Sequence, residues 1–464
     1  MSITTAVILA AGLGTRMKSA RPKILHSING KPLVRYVVDA VQTLNPAKIV
    51  VVVSPGSVGI REALRDSRVA FAIQKKPKGT ADALLAAAQK LAGITSTVLV
   101  LSGDTPLISA ATLQRLLTTH RRKKEFLSIL SFLAQGEHSY GRIMREGGNV
   151  FSIVEDRDAT SEQKKIAEVN SGIYAMASPA LKLLKEVKIN PGKGEYYLTD
   201  IVDIAARKGL RIGSHILGEE TELTGINTRK DLCMAGLYLR DRTVSRLLEK
   251  GVSFIDLKSV FIDPEAEIGA DTTIYPNVII EGNSSIGSGC VIYPNTRIAD
   301  SIVGNNVIIK DSSVIESSDV RDGASIGPFA HLRPGSVIGA SAKIGNFVEI
   351  KKSVIGPSTK ASHLSYLGDS EIGANVNIGA GTITCNYDGV NKFKTIIEEG
   401  SFIGSDTQLV APVKVGKGAY VGAGSTITRD VPPLALAVSR TPQRNLEGWA
   451  AGKSGKKNRK SDKG

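Results

Sequence analysis

The chain of 464 residues is poor in cysteine, in aromatic side chains and in long apolar runs, and each shortage excludes a class of protein. Its three cysteines, Cys233, Cys290 and Cys385, lie far apart and match neither the spacing of a zinc site nor a disulfide framework. No apolar run approaches the roughly 20 residues that a membrane helix needs. The start, MSITTAVILAAG, lacks the basic segment of a signal peptide. We therefore expect a cytoplasmic protein without a membrane span.

Aromatic residues make up only 5% of the chain, which favours packing by small side chains over a large aromatic core. The formal net charge is +15, and residues 451–464, AGKSGKKNRKSDKG, contribute six Lys or Arg against one Asp. We expect this basic tail to be disordered because it is almost devoid of apolar residues. The remaining positive charge suits either nucleic acid or small polyanionic substrates. Because the sequence has no helix-turn-helix pattern and no basic patch with interleaved aromatics, small polyanions are favoured and no specific nucleic acid partner is expected.

Up to about residue 230, short apolar segments alternate with helical ones. AVILAAG, KIVVVVS, TVLVLSGD and NSGIYAM are typical of buried strands, whereas KPLVRYVVDAVQTL and TADALLAAAQKLAG are typical of helices. This alternation predicts an α/β domain over residues 1–230 with a doubly wound, mostly parallel sheet. Ligands of such sheets bind beyond the carboxyl ends of the strands. Residues 231–251 predict an amphipathic connecting helix that ends at Gly251.

Over residues 252–450, aliphatic residues recur at every sixth position. This repeat is typical of a parallel β-helix, in which each aliphatic side chain points inward and stacks on its equivalents in neighbouring coils. The spacing shortens by two after Ile298, fails between Ile355 and Ile372, and is interrupted again before Ile403, where a loop insertion is expected. The predicted inward positions are Ile262, Ile268, Ile274, Ile280, Ile286, Ile292, Ile298, Ile302, Ile308, Val314, Val320, Ile326, Leu332, Ile338, Ile344, Ile350, Ile372, Ile378, Ile403, Leu409, Val415, Val421 and Ile427.

The segment LAAGLGTRM, from Leu9 to Met17, follows the first predicted strand. Its glycines let the backbone approach a ligand, and successive N–H groups in such a loop can bind phosphate. Arg16 and Lys23 add positive charge that can neutralise a triphosphate. The spacing matches neither a Walker loop nor a dinucleotide fingerprint. Asp104 ends a predicted strand, where its carboxylate can hold Mg²⁺ against phosphate oxygens.

These segments, taken in order, resemble the nucleotide-sugar pyrophosphorylases, whose signature is L-x-x-G-x-G-T-R-[ML] followed by P-K. The resemblance implies that a sugar 1-phosphate oxygen attacks the α-phosphate of a nucleoside triphosphate and that pyrophosphate leaves. It implies Arg16 and Lys23 as catalytic cations, and Asp104 and Asn227 as ligands of Mg²⁺. The implied substrate-binding residues are Leu9, Ala10, Ala11, Gly12, Lys23, Gln74, Gly79, Thr80, Ser102, Gly103, Asp104, Gly141, Glu155, Asn170 and Asn227.

Within that set, Gln74, Gly79 and Thr80 would contact the base, whereas Gly141, Glu155 and Asn170 would lie on the sugar side. Two positions depart from the family pattern. GTADA places Asp82 where His is usual, and LSGD places Ser102 where Tyr or Asn is frequent. Neither departure removes a charged group that the reaction needs.

In the second half, His363 lies in KASHLSYLGDS, where the six-residue repeat fails, and Asn386 and Tyr387 lie in the later interruption. Loops on a rigid repeat scaffold are frequent positions of function. Histidine, with an unperturbed pKa of about 6.5, suits proton abstraction near neutral pH. For Arg333 or Lys351 taken alone, an exposed surface charge is the favoured interpretation.

GPFAHLRPG, GNFVEIKKS, KASHLSYLGD, NIGAGTITCNYDG and FIGSDTQLVAPV, with GEYYLTDIV at residues 194–202, resemble the bacterial bifunctional GlmU family over nearly the whole chain. The resemblance implies His363 as the catalytic base of acetyl transfer, and Ser405 as a stabiliser of the oxyanion. The implied residues at the sugar phosphate are Arg333, Lys351, Tyr366, Asn377, Asn386 and Tyr387. Those along acetyl-CoA are Ala380, Ser405, Ala423 and Arg440.

The implied activity is the synthesis of UDP-N-acetylglucosamine, a precursor of peptidoglycan and lipopolysaccharide. Acetyl-CoA would acetylate glucosamine 1-phosphate, and UTP would then react with N-acetylglucosamine 1-phosphate. The predicted fold is a Rossmann-like nucleotidyltransferase domain followed by a left-handed parallel β-helix of hexapeptide repeats, and the resemblance implies a homotrimer. Two alternatives stay open at this point: a pyrophosphorylase whose β-helix only oligomerises or senses metabolites, and a binding protein without activity.

Overall fold

The computed structural model describes residues 4–12, 14–91, 96–190, 192 and 194–451. The chain divides into two compact units after Arg242, inside the helix Arg229–Glu249 that occupies the predicted connecting segment. All but the first residue of the predicted basic tail lies outside the described residues. The domain boundaries drawn from the sequence stay predictions.

The first unit alternates strands with helices. Its α-helices are α1 (Leu33–Gln42), α2 (Val58–Ala63), α3 (Thr80–Ala88), α4 (Ala110–Lys123), α5 (Asp200–Arg207), α6 (Glu220–Leu223) and the first part of α7 (Arg229–Glu249). Its strands are β1 (Thr4–Leu9), β2 (Ser27–Ile28), β3 (Lys31–Pro32), β4 (Lys48–Val53), β5 (Ala70–Ile73), β6 (Thr97–Ser102), β7 (Leu127–Leu133), β8 (Arg142–Glu146), β9 (Asn149–Val154), β10 (Glu168–Ala177), β11 (Ile189–Asn190), β12 (Glu195–Tyr196) and β13 (Ile212–Ile216). Short 3₁₀ helices cover Thr15–Met17, Lys23–Leu25, Gln163–Lys165 and Ser178–Lys185.

The main sheet has the strand order β13-β7-β10-β6-β1-β4-β5, and β8 and β9 are attached at β10. β1 runs parallel to β4 and β6, β4 to β5, and β13 to β7. The prediction of a doubly wound, mostly parallel sheet is confirmed, with two exceptions. β10, the predicted strand NSGIYAM, runs antiparallel to β6 and β7, and β8 pairs antiparallel with both β10 and β9.

Both faces of this sheet are covered, because β1, β4 and β6 carry apolar side chains that point alternately to the two faces. Along β1, Val7 packs in one apolar cluster, whereas its neighbours Ala6 and Ile8 pack in the cluster on the other face. The carboxyl ends of β1, β4, β5 and β6 meet at one edge of the sheet, so the loops that follow them come together there.

The second unit consists of short strands wound into coils. They are β14 (Ser253–Phe254), β15 (Phe261–Ile262), β16 (Glu267–Ile268), β17 (Thr273–Ile274), β18 (Ile279–Glu281), β19 (Ser285–Ile286), β20 (Val291–Ile292), β21 (Arg297–Ala299), β22 (Ile302–Val303), β23 (Ile308–Ile309), β24 (Val314–Glu316), β25 (Asp319–Val320), β26 (Ser325–Ile326), β27 (His331–Leu332), β28 (Val337–Ile338), β29 (Lys343–Asn346), β30 (Glu349–Lys351), β31 (Val354–Ile355), β32 (Lys360–His363), β33 (Tyr366–Gly368), β34 (Ser370–Ile372), β35 (Asn377–Ile378), β36 (Ile383–Cys385), β37 (Thr395–Ile397), β38 (Phe402–Ile403), β39 (Gln408–Val410), β40 (Val413–Val415), β41 (Tyr420–Val421), β42 (Thr426–Ile427) and β43 (Leu436–Ala437).

Each strand pairs in parallel with the strand three positions further along the chain, as β14 does with β17, and β43 completes the series by pairing with β41. The pairs form three parallel sheets of 11, 10 and 9 strands. One apolar core runs along the axis of the coils, so the buried side chain of each coil stacks on its equivalents. The predicted parallel β-helix of hexapeptide repeats is therefore confirmed.

Three predicted inward positions are wrong. Ile302 and Ile308 are 58% and 40% exposed, and Val314 is partly exposed. The corner after Ile298 is one residue short rather than two, and a shift of one residue moves a strand side chain to the opposite face. The buried positions on these strands are Val303, Ile309 and Ile315.

The failure of the repeat around His363 is also a misinterpretation. Ala361 and Leu367 are fully buried and occupy the two inward positions between Ile355 and Ile372. Alanine escaped the search for large aliphatic side chains, although it pairs with Ile344 on β29. His363 therefore lies at the end of β32 on a regular coil.

The later loop insertion is confirmed. Thr384 is buried at an inward position, and the chain then leaves the coil before returning at β37. Tyr387 and Lys392 form an isolated antiparallel bridge within this loop. A short structured loop therefore projects from the coil between β36 and β37.

Among the residues that the structure describes, no helix combines the length and the apolar character required to cross a membrane.

Candidate functional sites

The loop after β1 brings two cations to the carboxyl edge of the sheet. Gly14 has a left-handed φ of 64°, and a short 3₁₀ turn from Thr15 carries Arg16. A Cβ atom on Gly14 would overlap the side chain of Lys23, so the missing side chain allows that lysine to approach the loop. Lys23 opens its own 3₁₀ turn after Pro22.

Arg16, Lys23, Asp104 and Asn227 converge although they come from three distant parts of the first unit. The ammonium of Lys23 forms an ion pair with Asp104 and donates to Asn227 Oδ1 at 3.0 Å. Arg16 Nη2 donates to the same oxygen at 2.9 Å. The ion pair is mostly buried, with 13% of the Lys23 side chain and 17% of the Asp104 side chain exposed. The arrangement presents cations beside two hard oxygen atoms.

Asn227 is held by the N-terminus of α7. Asp231 Oδ2 accepts from the backbone N–H groups of Asn227 at 2.9 Å and Thr228 at 2.8 Å, and Thr228 Oγ1 accepts from Asp231 N at 3.1 Å. This reciprocal pattern satisfies N–H groups at the helix start. Ile226 N also donates to Asp104 O at 2.8 Å, which ties the two loops together.

The three residues predicted at the base lie together beyond β5. Gln74 is 5% exposed, and its amide nitrogen donates to Gly79 O at 3.0 Å and to Asp82 Oδ2 at 2.8 Å. Gly79 has a φ of +103°, and a Cβ atom there would lie 2.7 Å from Tyr196 N. Thr80 Oγ1 accepts from Leu198 N at 3.0 Å.

The predicted sugar-side residues are also adjacent. Asn170 N donates to Gly141 O at 2.8 Å, and a Cβ atom on Gly141 would lie 3.7 Å from Glu155 Cδ. The side chain of Asn170 is occupied within its own strand, since Nδ2 donates to the Tyr174 hydroxyl at 2.7 Å and Oδ1 accepts from Gly172 N at 3.0 Å. A ligand would therefore have to share or displace these contacts.

Acidic groups concentrate near Glu155. Its Oε1 accepts from the Thr199 hydroxyl at 3.1 Å. Burial, with repulsion from Glu155, Asp203 and Asp158, raises the pKa of Asp200 to about 6. The Asp200 carboxyl therefore resists deprotonation, and this acidic cluster would repel a phosphate while its oxygen atoms can accept hydrogen bonds from sugar hydroxyl groups.

In the second unit, His363 has a defined partner. His363 Nδ1 lies 2.6 Å from Asn346 Oδ1, and the two residues are paired on β32 and β29. An amide oxygen only accepts, so Nδ1 carries the proton and Nε2 of the neutral ring keeps its lone pair. The imidazole is exposed, which leaves Nε2 accessible to a substrate.

The predicted acetyl-CoA residues continue the column that begins with Asn346 and His363. Ala380, Ser405 and Ala423 each lie two residues beyond an inward residue, and these inward residues are paired from coil to coil. A Cβ atom on Gly404 would lie 2.5 Å from Ala423 N, so close coil packing depends on small residues at this corner. Arg440 Nη1 donates to Ala423 O at 2.8 Å.

Three of the six predicted sugar-phosphate residues lie along a sheet other than that of His363. Arg333, Lys351 and Tyr366 lie on or directly after β27, β30 and β33, and Arg333 Nη1 donates to Glu349 Oε1 at 2.8 Å. Asn377, by contrast, lies on β35 in the sheet of His363. Tyr387, in the loop insertion, is 58% exposed. The structure therefore divides this predicted set between two sheets and a loop.

Asn386 joins the charged group at Lys351. It is 7% exposed, and its Nδ2 donates to Asp369, which also lies 3.6 Å from Lys351 Nζ. The neighbouring positive charge of Lys351 lowers the pKa of Lys392, which belongs to the loop insertion. Two lysines thus share one small region with a single carboxylate.

Sequence reasoning assigned no role to five residues that the structure places in direct contact with predicted ones. They are Asp82, Asp231, Asn346, Asp369 and Lys392. Asn346 precedes His363 by 17 residues, one coil of the helix, so the coil period is a signal that could have found it. Asp369 precedes Asn386 by the same 17 residues, whereas Asp82, Asp231 and Lys392 come from segments without such a period.

Comparison with known proteins finds a different family in each of the two units. The family described as "MobA-like NTP transferase domain" matches residues 6–146, and "Bacterial transferase hexapeptide (six repeats)" matches residues 265–300 and 394–429. No group of three or more His, Cys, Asp or Glu side chains that could hold a metal ion occurs among the described residues.

Similar proteins extend over almost the whole chain. The "Bifunctional protein GlmU" of Thermodesulfovibrio yellowstonii is 54% identical over 445 residues, which cover 96% of this chain and 98% of that protein. The protein of the same name from Syntrophotalea carbinolica is 49% identical, and the match covers 96% of this chain and 96% of that protein. The one from Heliobacterium modesticaldum is 47% identical, and the match covers 96% of this chain and 97% of that protein. The chain belongs to the bifunctional GlmU family of acetyltransferase–uridyltransferase enzymes.

Proposed function

We propose that this chain acetylates glucosamine 1-phosphate with acetyl-CoA in its second unit, then joins N-acetylglucosamine 1-phosphate to UMP from UTP in its first unit. The product is UDP-N-acetylglucosamine and the by-products are coenzyme A and pyrophosphate. The observation that carries the proposal is that the predicted catalytic residues of each unit contact polar partners from other segments. Lys23 contacts Asp104 and Asn227 in one, and His363 bonds to Asn346 in the other.

Uridylyl transfer requires no general base, because the attacking phosphate oxygen of the sugar 1-phosphate is already ionised. That oxygen bonds to the α-phosphorus of UTP, and the bond to the pyrophosphate oxygen breaks. Arg16 and Lys23 bind and orient the triphosphate and neutralise charge as pyrophosphate leaves. Both cations donate to the same oxygen, Asn227 Oδ1, which holds them next to each other before the substrate binds.

Asp104 and Asn227 fit a Mg²⁺ site because both present hard oxygen atoms that already contact one cationic atom, Lys23 Nζ. Magnesium usually takes one or two protein ligands and completes its shell with phosphate oxygens and water. When bound, it would supply further neutralisation of the phosphates. Gly225 lies beside Asp104, and a Cβ atom there would approach its Oδ1 to 3.5 Å.

Asp231→Ala is expected to lower kcat/KM for uridylyl transfer about 10- to 100-fold, the usual effect of removing a residue that orients a metal ligand. The variant loses the acceptor that holds Asn227 N and Thr228 N at the start of α7. Pyrophosphate release measures the effect, and acetyl transfer in the other unit reports on integrity. Asp231→Asn keeps an acceptor oxygen and should retain most activity. Unchanged kinetics in Asp231→Ala would contradict the positioning role.

In acetyl transfer, His363 Nε2 takes a proton from the 2-amino group of glucosamine 1-phosphate as the nitrogen attacks the thioester carbonyl carbon. The carbon–sulfur bond then breaks, and coenzyme A leaves as the thiol after it receives a proton. The hydrogen bond from Nδ1 to Asn346 supports this role, because it selects the tautomer whose Nε2 is a base. Exposure of the ring allows the amine to reach it.

The oxyanion of this reaction is better served by the Ala380 N–H than by Ser405. Ala380 lies one coil beyond His363 on the same column, and successive coils are about 4.8 Å apart, whereas Ser405 lies a further coil away. In the described part of the chain, no acceptor bonds to the Ala380 N–H. We therefore assign Ser405, Ala423 and Arg440 to the remainder of acetyl-CoA, where small side chains leave space for a pantetheine arm.

The phosphate of glucosamine 1-phosphate would be bound by cations of the second unit. Lys351 and Lys392 lie in contact, with Asp369 as a shared counter-ion. An incoming phosphate would relieve the repulsion between the two ammonium groups. Arg333, Tyr366 and Asn386 lie on or directly after strands of the same sheet as Lys351, which supports a role for them as further contacts.

A coupled assay tests the two activities separately. Glucosamine 1-phosphate, acetyl-CoA, UTP and Mg²⁺ are supplied, and free thiol and pyrophosphate are followed independently. Both products are expected, with thiol release independent of UTP and pyrophosphate release dependent on prior acetylation. Pyrophosphate from N-acetylglucosamine 1-phosphate without any thiol from glucosamine 1-phosphate would instead indicate a pyrophosphorylase with a scaffold β-helix.

We also propose a homotrimer. Phe329, Phe347 and Leu364 occupy equivalent left-handed corner positions on consecutive coils and are 51%, 56% and 62% exposed. The two rings stack at 5.2 Å, and Leu364 directly follows His363. An apolar column of this kind is suited to contact with another copy of the chain. Light scattering is expected to give about three times the 49.1 kDa of one chain, and a fully active monomer would contradict this proposal.

We further propose a cytoplasmic location, because UTP and acetyl-CoA are cytoplasmic metabolites and all three cysteines are free thiols.

A further inference from the structure

We propose that Asp82 is a positioning residue that sets the preference of the first unit for uracil over cytosine. It would act by fixing the orientation of the Gln74 side-chain amide. This inference deepens the proposed uridyltransferase function and rests on Gln74 contacting the base. Asp82 itself would not touch the nucleotide.

Gln74 and Asp82 belong to neighbouring elements at the carboxyl edge of the sheet. Gln74 follows β5, and its backbone N–H donates to Val53 O at 2.9 Å, which continues the pairing with β4. Asp82 lies in the first turn of α3. Its Oδ2 accepts from Gln74 Nε2 at 2.8 Å, while Gly79 O accepts from the same nitrogen at 3.0 Å.

The chemistry of these two contacts admits one orientation of the amide. A carboxylate oxygen and a backbone carbonyl oxygen only accept hydrogen bonds, so the atom between them must be the NH₂ group of Gln74. Both of its N–H bonds are then used inside the protein. The opposite atom, Oε1, is left as an acceptor, and no donor among the described residues bonds to it. Gln74 is 5% exposed, so such an acceptor needs a partner.

An acceptor fixed at this point distinguishes the two pyrimidines. Uracil carries a proton on N3 and can donate to Gln74 Oε1, whereas N3 of cytosine is itself an acceptor and would face Oε1 with a lone pair. To accept cytosine, the amide would have to turn over and present its NH₂ group. Thymine has the same N3–H as uracil, so this contact does not distinguish UTP from dTTP.

Asp82 makes that turn unfavourable. In the turned amide, Oε1 would face the Asp82 carboxylate and the Gly79 carbonyl, and two hydrogen bonds, one of them to a charged group, would become repulsive contacts. Without Asp82, only the Gly79 carbonyl opposes the turn. The amide would then present either end to the base.

The test is the ratio of kcat/KM for UTP to kcat/KM for CTP in the intact protein, measured by pyrophosphate release. Asp82→Ala is expected to lower this ratio about tenfold, as expected when one hydrogen bond to a charged group is lost. The loss falls on UTP, and CTP is accepted equally well or better. Asp82→Asn can still accept from Gln74 Nε2 through its own oxygen, and it is expected to restore most of the ratio. A structural role of the negative charge would not be rescued by Asn.

Three controls separate the possible failures. Asp66→Ala removes an exposed carboxylate of the same unit and should leave the ratio unchanged. Acetyl transfer, which belongs to the other unit, should be unchanged in Asp82→Ala and normalises for folded protein. Gln74→Leu tests the contact on which the inference rests. A ratio unchanged in Gln74→Leu would overturn both the base contact and the inference, whereas a ratio lowered in Gln74→Leu but unchanged in Asp82→Ala would overturn the inference alone.

Discussion

Replacement of His363 by Ala is expected to slow acetyl transfer roughly 10²- to 10⁴-fold, the usual contribution of a positioned general base, and to leave uridylyl transfer unchanged. The imidazole is exposed and its Nδ1 is engaged by Asn346, so the fold loses one hydrogen bond but no core contact. The attacking amine, however, loses the acceptor for its proton. Thiol release from acetyl-CoA with glucosamine 1-phosphate measures the effect.

The second unit offers a matched control for this variant. His331 is a partly exposed histidine, 41% exposed at its side chain, that lies 3.4 Å from Glu316 and away from the His363 column. His331→Ala should leave thiol release close to that of the parent chain. Asn346→Ala is expected to give a loss smaller than that of His363→Ala, because the ring remains but its tautomer is no longer selected. An equal loss of both activities in His363→Ala would indicate a structural role instead.

Asp104→Ala is expected to abolish uridylyl transfer, with a loss of about 10³-fold or more, and to spare acetyl transfer. The variant removes the only carboxylate of the predicted Mg²⁺ site and the counter-ion of Lys23. Neutralisation of the phosphates is the main work of this reaction, so little catalysis can remain. Pyrophosphate release from UTP and N-acetylglucosamine 1-phosphate is the measurement.

The local backbone gives reason to expect that Asp104→Ala folds. The carbonyl of residue 104 accepts from Ile226 N at 2.8 Å, and this contact does not involve the side chain. Asp104→Asn keeps an oxygen ligand but loses the charge, and it should retain activity only at raised Mg²⁺ concentration. Full uridylyl transfer by Asp104→Ala would refute its assignment to the metal, whereas loss of acetyl transfer as well would indicate global damage.

The architecture could be predicted because each unit has a regular pattern of apolar residues along the chain. Strand and helix segments alternate in the first unit, and apolar residues recur every sixth position in the second. The same periods were insufficient at the corners. Ile302 and Val303 are both aliphatic, so only the length of the preceding corner decides which of them is buried. The inward position of Ala361 was overlooked because only large aliphatic side chains were counted.

The site residues were predicted from local motifs. Their hydrogen-bond and ion-pair partners could not be predicted in this way, because they come from other segments of the chain. The pairing of Lys23 with Asp104 and Asn227 requires three loops to meet at one edge of a sheet. Asp82 looked like a departure from a family pattern, yet it accepts a hydrogen bond from Gln74. The roles assigned to these side chains stay predictions until the variants are measured.

Composition and periodicity therefore determined the architecture, an α/β domain followed by a hexapeptide β-helix, and the motifs in their order carried the resemblance to one bifunctional family. These properties follow from patterns between residues close in the chain, and hydrophobic periodicity expresses them directly. The tertiary structure alone decided which neighbour of a repeat points inward, which atom of Gln74 remains an acceptor, and which nitrogen of His363 is a base. Each of those depends on a contact between segments that only folding brings together, at distances where one hydrogen bond fixes the orientation of a side chain.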